Sequence, residues 1–304
     1  KSTGSWYSVL TDDAVYNCKI RGKLRTKGYE STNPVAVGDV VKFFLQKDNS
    51  GVIIEIEDRI NCIVRQSTNL SKKMHLLACN VSQVAIVVSL SNPTTPVEFI
   101  DRFLVSAETY KIPPKIIFNK IDLYKEEDFL KLQELEETYE KIGYNCFAIS
   151  VEKKVNIEAV VELLKDKTTI LAGNSGVGKS SLINLISPKH NLKIDDISEK
   201  HKTGKHTTTF AEMLKLDFGG FIIDTPGIRA FGLSFLEKED IAHNFPEMFN
   251  LLGNCKYYNC LHIDEPKCAV KQAYEEGKIA YSRYKSYINI ILEDNEKHRK
   301  NIYE

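Results

Sequence analysis

GNSGVGKS, residues 173–180, is the stretch that decides the fold, because it matches the pattern GxxxxGK[ST] in the required setting. Residues 168–172 (TTILA) form a short apolar run typical of a buried strand, and residues 179–186 carry apolar side chains at helical spacing. A glycine-rich turn between strand and helix binds phosphate through backbone N–H groups. We therefore predict a nucleotide site; the alternative is a turn without a ligand. The predicted contact residues are Gly173, Asn174, Ser175, Gly176, Val177, Gly178, Lys179, Ser180 and Ser181.

Two further apolar runs each end in a polar motif. Residues 114–118 (PKIIF) precede residues 119–122 (NKID), and residues 220–223 (GFII) precede DTPG. Continuous apolar runs are typical of a parallel sheet that is buried on both faces. Because ligands of such sheets bind beyond the carboxyl ends of the strands, we expect all three motifs to surround one nucleotide.

The motif NKID predicts that the base is guanine. The Asp122 carboxylate can accept hydrogen bonds from guanine N1–H and the exocyclic amine, whereas adenine lacks this pair of donors. Lys120 is expected to pack over the base, and Asn119 to hold the loop. Ser150 follows the apolar run 146–149 and is predicted to add a contact to the base, although a serine there also commonly caps a strand.

Residues 187–206 form a long polar segment after the helix of the phosphate loop, and we predict that it is the first switch. Loops of this length in compact domains are usually functional or disordered. It runs into GKHTTT, in which Thr208 is predicted to bind Mg²⁺ together with Ser180 and to contact the γ-phosphate. Asp224 is expected to hold Mg²⁺ through water. The Gly227 amide is expected to meet the γ-phosphate.

The guanine motif precedes the phosphate loop, which reverses the order found in an ordinary GTPase. Residues 83–90 (QVAIVVSL) correspond to the strand that follows the second switch in the ordinary order. The chain is therefore predicted to be circularly permuted, with the cut just beyond DTPG. We expect a circularly permuted α/β P-loop GTPase domain at residues 69–230, with a separate domain on either side.

Residues 1–68 have a different pattern, in which glycines interrupt short β-branched and aromatic runs. This pattern predicts an OB-type β-barrel, a fold that commonly binds nucleic acid. Basic residues at every second position lie on one side of an extended segment and predict a surface for RNA. These residues are Lys19, Arg21, Lys23, Arg25 and Lys27. The alternative is a solvated hairpin whose charge serves solubility.

Four potential metal ligands fall within 14 residues in the pattern C-x4-C-x-H-x5-C. They are Cys255, Cys260, His262 and Cys268. Three thiolates and one imidazole complete a tetrahedral Zn²⁺ shell without an open position, so the predicted site is structural. The alternative is a set of small core residues in a reducing compartment. We expect residues 231–304 to form a mainly helical zinc-binding domain.

Composition narrows the setting. The chain has 304 residues, 42% of them hydrophobic, and a formal net charge of +0, so any surface for nucleic acid has to be local. No run approaches the roughly 18 apolar residues of a membrane span, and no secretory leader precedes Trp6. We expect a cytoplasmic protein without a membrane partner, and a monomer.

The order NKID, GNSGVGKSS, GKHTTT, DTPG and C-x4-C-x-H-x5-C, after a β-rich segment, resembles the RsgA (YjeQ) family of circularly permuted GTPases. The resemblance covers nearly the whole chain. It implies an enzyme that uses GTP, GDP and Mg²⁺ and holds one structural Zn²⁺. It also implies that the partners are the small ribosomal subunit and its rRNA, that the enzyme assists late maturation, and that the subunit stimulates hydrolysis.

An ordinary Ras-type GTPase positions the attacking water with a glutamine just after DxxG, but this chain has Ile228 there. Intrinsic hydrolysis is therefore expected to be slow. The resembled family has the same apolar replacement, and its candidate for positioning water is a switch histidine, which corresponds to His206. Lys179 and Thr208 complete the predicted catalytic set. The alternative is that His206 contacts ribosomal RNA or phosphate.

Two other functions fit part of the pattern. A P-loop kinase would share the phosphate loop, but NKID argues against adenine preference. A zinc-stapled RNA-binding assembly scaffold would use nucleotide only for regulation, so its affinity for RNA would ignore the nucleotide state.

Overall fold

The structure is a computed structural model that describes residues 6–22, 34–66, 74–190, 192, 212–224 and 237–300. For residues 65, 66, 74, 75, 224 and 293–300 it describes the backbone only. Among the helices described, none combines the length and apolarity that crossing a membrane requires.

A four-stranded sheet forms the N-terminal part of the chain. Its strands are β1 (Tyr7–Leu10), β2 (Val15–Ile20), β3 (Val41–Leu45) and β4 (Gly51–Ile56), in the order β1-β2-β4-β3. Cys18 and Ile53 are fully buried between the strands. Gly51 is required beside them, because a Cβ at this position would lie 2.3 Å from the Cys18 Sγ. Closure of this sheet into a barrel stays a prediction, since residues 23–33 lie outside the described residues.

A hairpin of β5 (Cys62–Gln66) and β6 (Met74–Cys79) follows and spans the predicted domain boundary at residue 68. The Cys79 N–H donates to the Val37 carbonyl at 2.8 Å. Arg59 binds both carboxylate oxygens of Asp39, at 2.7 and 2.6 Å. Ile63 and Ala78, on the two hairpin strands, pack into the core of the following domain. The hairpin therefore connects the N-terminal sheet to the centre of the molecule.

The central sheet has six strands in the order β11-β12-β10-β7-β8-β9. They are β7 (Gln83–Val88), β8 (Pro114–Phe118), β9 (Asn145–Ala148), β10 (Thr168–Ala172), β11 (Glu212–Lys215) and β12 (Phe221–Asp224). All neighbours are parallel except β11 and β12. If β10, β11 and β12 are numbered 1 to 3 and β7, β8 and β9 are numbered 4 to 6, the strands lie in the spatial order 2-3-1-4-5-6. The chain therefore forms strand 4 of this order first and strands 1 to 3 last, although the sheet itself is continuous.

Helices cover both faces of this sheet. They are α1 (Val97–Thr109), α2 (Glu126–Lys141), α3 (Ile157–Leu164) and α4 (Lys179–Ile186). On α2, Leu132, Leu135 and Tyr139 are buried. Phe129 of the same helix is 47% exposed, and its ring packs edge-on against the ring of Tyr124.

The C-terminal part is mainly helical, with α5 (Lys238–Ile241), α6 (Pro246–Phe249), α7 (Ala269–Glu275) and α8 (Tyr281–Lys300). These helices share a core that includes Phe245, Met248 and Tyr287. Val105 of α1 is part of the same core, so this domain packs directly on the central one.

A buried ion network joins the two domains. Arg283 of α8 donates to the Asp101 carboxylate of α1 at 2.8 Å and to the Glu247 carboxylate of α6 at 2.7 Å. Tyr139 and Ser286 also donate to Asp101, at 2.9 and 2.5 Å. Burial opposes a charge on Arg283, but the carboxylates of Asp101 and Glu247 hold its pKa well above the usual value. Every charge in the network therefore has a partner.

We predict that Arg283→Ala lowers the free energy of unfolding by about 3–5 kcal/mol, because it leaves two carboxylates of a buried network without their cation. Urea denaturation measures this loss. The matched control is Lys42→Ala, which breaks an exposed ion pair with Glu55 and is expected to leave stability nearly unchanged. Equal stability of the two variants would contradict the prediction.

Candidate nucleotide site and metal centre

The phosphate loop lies where the carboxyl ends of β10, β7 and β8 meet. Gly173 has φ +138°, and a Cβ there would lie 2.2 Å from the Val87 carbonyl oxygen of β7. Gly178 has φ +98°, and a Cβ there would lie 2.3 Å from Asn119 Nδ2. Both positions need glycine, because the loop backbone approaches its neighbours too closely for a side chain.

Lys179 and Ser180 open helix α4 directly after the loop. The Lys179 ammonium donates to the carbonyls of Gly173 and Asn174, at 2.8 and 2.6 Å, and so lies across the loop. Ser180 is buried beneath it at the helix N-terminus. The loop thereby brings a cation and a hydroxyl to the end of the helix that attracts anions.

Asn119 ties the loop to the rest of the site. Its side chain is buried, and the Nδ2 group donates to the Val177 carbonyl at 2.8 Å. Its Oδ1 accepts from the Val151 N–H at 3.2 Å. One amide thus connects the phosphate loop with the segments that follow β8 and β9.

The other members of NKID form the adjoining side of the site. The Asp122 carboxylate accepts a hydrogen bond from the Ser150 hydroxyl, and Ser150 is fully buried. The Lys153 N–H donates to the Ser150 oxygen at 2.9 Å, which orients the hydroxyl towards Asp122. The Lys120 ammonium donates to the Asn92 carbonyl at 2.6 Å. Loops after three neighbouring strands therefore meet around the exposed Asp122 carboxylate.

Tyr124 is a supporting residue that the sequence did not indicate. Its hydroxyl donates to the Asn119 carbonyl at 3.1 Å and accepts from the Leu90 N–H at 2.9 Å. Burial raises the pKa of Tyr124, so the hydroxyl stays protonated and can donate. No spacing pattern marks this tyrosine, because its second partner lies 34 residues away in the chain.

Some of the predicted site residues lie outside the described residues: Lys23, Arg25, Lys27, His206, Thr208 and Gly227. Asp224 ends β12 beside the phosphate-loop strand, and only its backbone is described. Lys19 and Arg21 are exposed, whereas the intervening Ile20 is buried. The two basic residues that are described therefore point away from the core.

The four predicted metal ligands come together in the C-terminal domain. Their ligand atoms all lie within 4.8 Å of one another. His262 Nδ1 is 3.6 Å from the Cys255 Sγ and 3.3 Å from the Cys268 Sγ. Tetrahedral Zn²⁺ with Zn–S near 2.3 Å and Zn–N near 2.0 Å sets its ligand atoms about 3.5–3.8 Å apart. The donor set and its spacing therefore fit a single zinc ion.

Protonation of this cluster depends on its burial. Burial raises the pKa of Cys260 to about 12 and also raises the pKa of Cys268. Burial lowers the pKa of His262, which favours the neutral imidazole that a metal requires. With their pKa values raised, Cys260 and Cys268 are thiols at neutral pH, so binding of a cation to them releases protons.

Hydrogen bonds outside the four ligands hold the chain around His262, whose φ is +57°. The Glu265 carboxylate accepts from the Leu261 and Ile263 N–H groups, at 2.8 and 2.9 Å. The Tyr284 hydroxyl of α8 donates to the His262 carbonyl at 2.7 Å. The metal centre is thus fastened to the same helix that carries Arg283.

The phosphate loop and the guanine motif lie on one sheet, and the strand of the guanine motif precedes the strand of the phosphate loop in the chain. These features define a circularly permuted P-loop GTPase. Family models agree: RsgA GTPase matches residues 56–234, and RsgA N-terminal domain matches residues 1–53. The chain belongs to the RsgA GTPase family. The predicted fold class, with an N-terminal β domain, a permuted α/β GTPase domain and a C-terminal metal-site domain, is confirmed.

Individual relatives span nearly the full chain. A "small ribosomal subunit biogenesis GTPase RsgA" of Christiangramia forsetii is 48% identical over 100% of this chain and 98% of its own length. A protein of the same name from Bacteroides fragilis is 51% identical over 97% of this chain and 96% of its own length. The crystal structure of YjeQ from Thermotoga maritima has a TM-score of 0.77 at 36% identity, covering 95% of this chain and 94% of that one. YloQ, described as a circularly permuted GTPase, also has a TM-score of 0.77, at 32% identity over 98% and 93% of the chains.

We predict that Asn119→Ala weakens the binding of GTP and of GDP alike by about tenfold or more, because the buried Val177 carbonyl and the part-buried Val151 N–H lose their partner. Titration with fluorescent nucleotides measures both affinities. The matched control is Asn145→Ala, an exposed asparagine at the start of β9 that is expected to have no effect. Unchanged nucleotide affinity of Asn119→Ala would show that its amide does not support the site.

Proposed function

We propose that this chain is a GTPase that binds the small ribosomal subunit and hydrolyses GTP to assist late maturation of the subunit. The observation that carries the proposal is the guanine motif linked through Asn119 to the phosphate loop on a permuted sheet. Membership of the RsgA GTPase family supports hydrolysis, and the names of the relatives support the subunit as partner.

In this proposal, GTP lies along the loop of residues 173–178 with its base at Asp122. Lys179 exchanges its two loop carbonyls for phosphate oxygens, which are stronger acceptors because they are charged. Asp122 accepts from the guanine ring, and the Ser150 hydroxyl keeps the carboxylate in position. Ser180, Thr208 and, through water, Asp224 would hold Mg²⁺, which would supply positive charge beside the β- and γ-phosphates.

Catalysis is proposed to depend on three residues. Lys179 stabilises charge on the transferred phosphoryl group, and Thr208 closes the switch on it. Because Ile228 stands where Ras-type enzymes have glutamine, we assign the positioning of water to His206. The Gly227 amide contacts the γ-phosphate and distinguishes GTP from GDP.

The proposed partner surface is the basic face of the N-terminal domain. Lys19 and Arg21 are exposed and, with Lys23, Arg25 and Lys27, would contact rRNA phosphates. We further propose that the protein is cytoplasmic and acts as a monomer on the subunit, with one structural Zn²⁺ in the C-terminal domain.

The proposal predicts that affinity for the small subunit depends on the nucleotide. Purified subunits are titrated with the protein in GTP, in a non-hydrolysable analogue and in GDP, and turnover of GTP is measured with and without subunits. We expect tighter binding with the analogue than with GDP, and faster turnover with subunits, because the switch segments order around the γ-phosphate. Equal affinity in all three states and unstimulated turnover would instead indicate a scaffold for which nucleotide is only regulatory.

The metal assignment predicts that Cys268→Ser abolishes stoichiometric zinc binding and lowers the melting temperature, because a structural site contributes directly to folding. Elemental analysis measures the zinc content, and thermal unfolding measures stability. The matched control is Cys146→Ser, since Cys146 lies in β9 and is not one of the four ligands. Wild-type protein purified without any bound zinc would contradict the assignment.

A further inference from the structure

The loop between the first two metal ligands, residues 256–259 (KYYN), carries two neighbouring tyrosines on the surface. All four residues of this loop, which we call the tyrosine loop, are exposed. Tyr258 is fully exposed, and Tyr257 is 38% exposed. Elsewhere in the C-terminal core, tyrosines such as Tyr287 are buried and bind backbone carbonyls. The two loop tyrosines are thus not part of the core that stabilises the domain.

The loop is held at both ends. Cys255 precedes it and Cys260 follows it, and their sulfur atoms belong to the four-ligand cluster. The Lys256 N–H also donates to the Lys267 carbonyl at 3.4 Å. A loop anchored in this way loses little conformational freedom on binding, so contacts made by its side chains contribute more of their energy to affinity.

Two lysines lie at the tyrosine loop. The Lys256 ammonium lies 5.0 Å from the centre of the Tyr257 ring, and Lys267 is exposed beside the loop. The nearby acids are engaged elsewhere. Glu265 accepts two backbone N–H groups, and Asp264 lies 3.8 Å from the Lys271 ammonium. In a chain without net charge, this is a local combination of aromatic rings and cations.

We propose that the tyrosine loop binds an unpaired base of RNA, with Tyr258 stacking on the base and with Lys256 and Lys267 contacting the flanking phosphates. This inference rests on the proposed function, since the RNA would be that of the small subunit. Every base has a π-face, and base–aromatic stacking beside lysines is a recurring mode of single-strand binding. A protein partner fits less well, because the neighbours of the rings are lysine and asparagine rather than apolar side chains.

The site is separate from the basic face of the N-terminal domain. That face is proposed to contact rRNA phosphates through lysine and arginine side chains, without reading a base. The tyrosine loop adds a contact to a base that is not stacked in a duplex. It therefore favours a single-stranded or bulged segment over a regular RNA helix.

The test compares Tyr258→Ala, Tyr258→Phe and the control Tyr281→Ala in equilibrium binding to purified small ribosomal subunits with a non-hydrolysable GTP analogue. Tyr281 is 64% exposed and lies in the same domain, outside the tyrosine loop. We expect Tyr258→Ala to weaken binding about tenfold, because a stacked base is lost. Tyr258→Phe keeps the ring and should bind like wild type, as should Tyr281→Ala. Zinc content and turnover without subunits should be the same in all four proteins.

A photoreactive phenylalanine analogue at position 258 identifies the contacted molecule. Cross-links to rRNA are expected, whereas cross-links only to ribosomal proteins would overturn the inference. Wild-type affinity of Tyr258→Ala, or equal loss in the alanine and phenylalanine variants, would also overturn it. In these cases wild-type protein would still bind subunits and be stimulated by them, so the proposed function would stand. Failure of wild-type protein to bind subunits would reject the proposed function and the inference together.

Discussion

The close approach of the phosphate loop to the ends of β7 and β8 is the constraint on which the site depends. Gly173 and Gly178 allow it, because a Cβ at either position would collide with Val87 or Asn119. The Asn119 amide then holds the loop through the Val177 carbonyl. In this permuted chain the guanine motif comes first, so the two halves of the site are assembled by these non-covalent contacts across the sheet.

A second set of buried contacts determines which domain lies next to the nucleotide. Helix α1 follows β7 through the segment that contains Pro93, whose ring would touch a side chain at Gly176 of the phosphate loop. The same helix presents Asp101 to Arg283 of the metal-site domain. Burying this ion pair is acceptable because Glu247, Tyr139 and Ser286 satisfy the remaining groups. The helix next to the phosphate loop is therefore also the platform on which the metal-site domain rests.

Strong local patterns predicted most of the elements. The strand before the phosphate loop and the helix after it both have their predicted bounds, Thr168–Ala172 and Lys179–Ile186. Tyr124 and Arg283 were missed because their partners are distant in the chain, and neither residue belongs to a spacing motif.

By itself, the sequence determined the chemistry of this protein: a phosphate loop, a guanine motif and four metal ligands, each encoded by residues close together in the chain. The fold class followed from the same motifs, because strand, loop and helix are set by local periodicity. Tertiary structure alone decided how these parts are joined. The buried amide of Asn119, the hydroxyl of Tyr124 and the charge of Arg283 act across the sheet and between domains. Such contacts depend on burial and geometry, which residues far apart in sequence acquire only when the chain has folded.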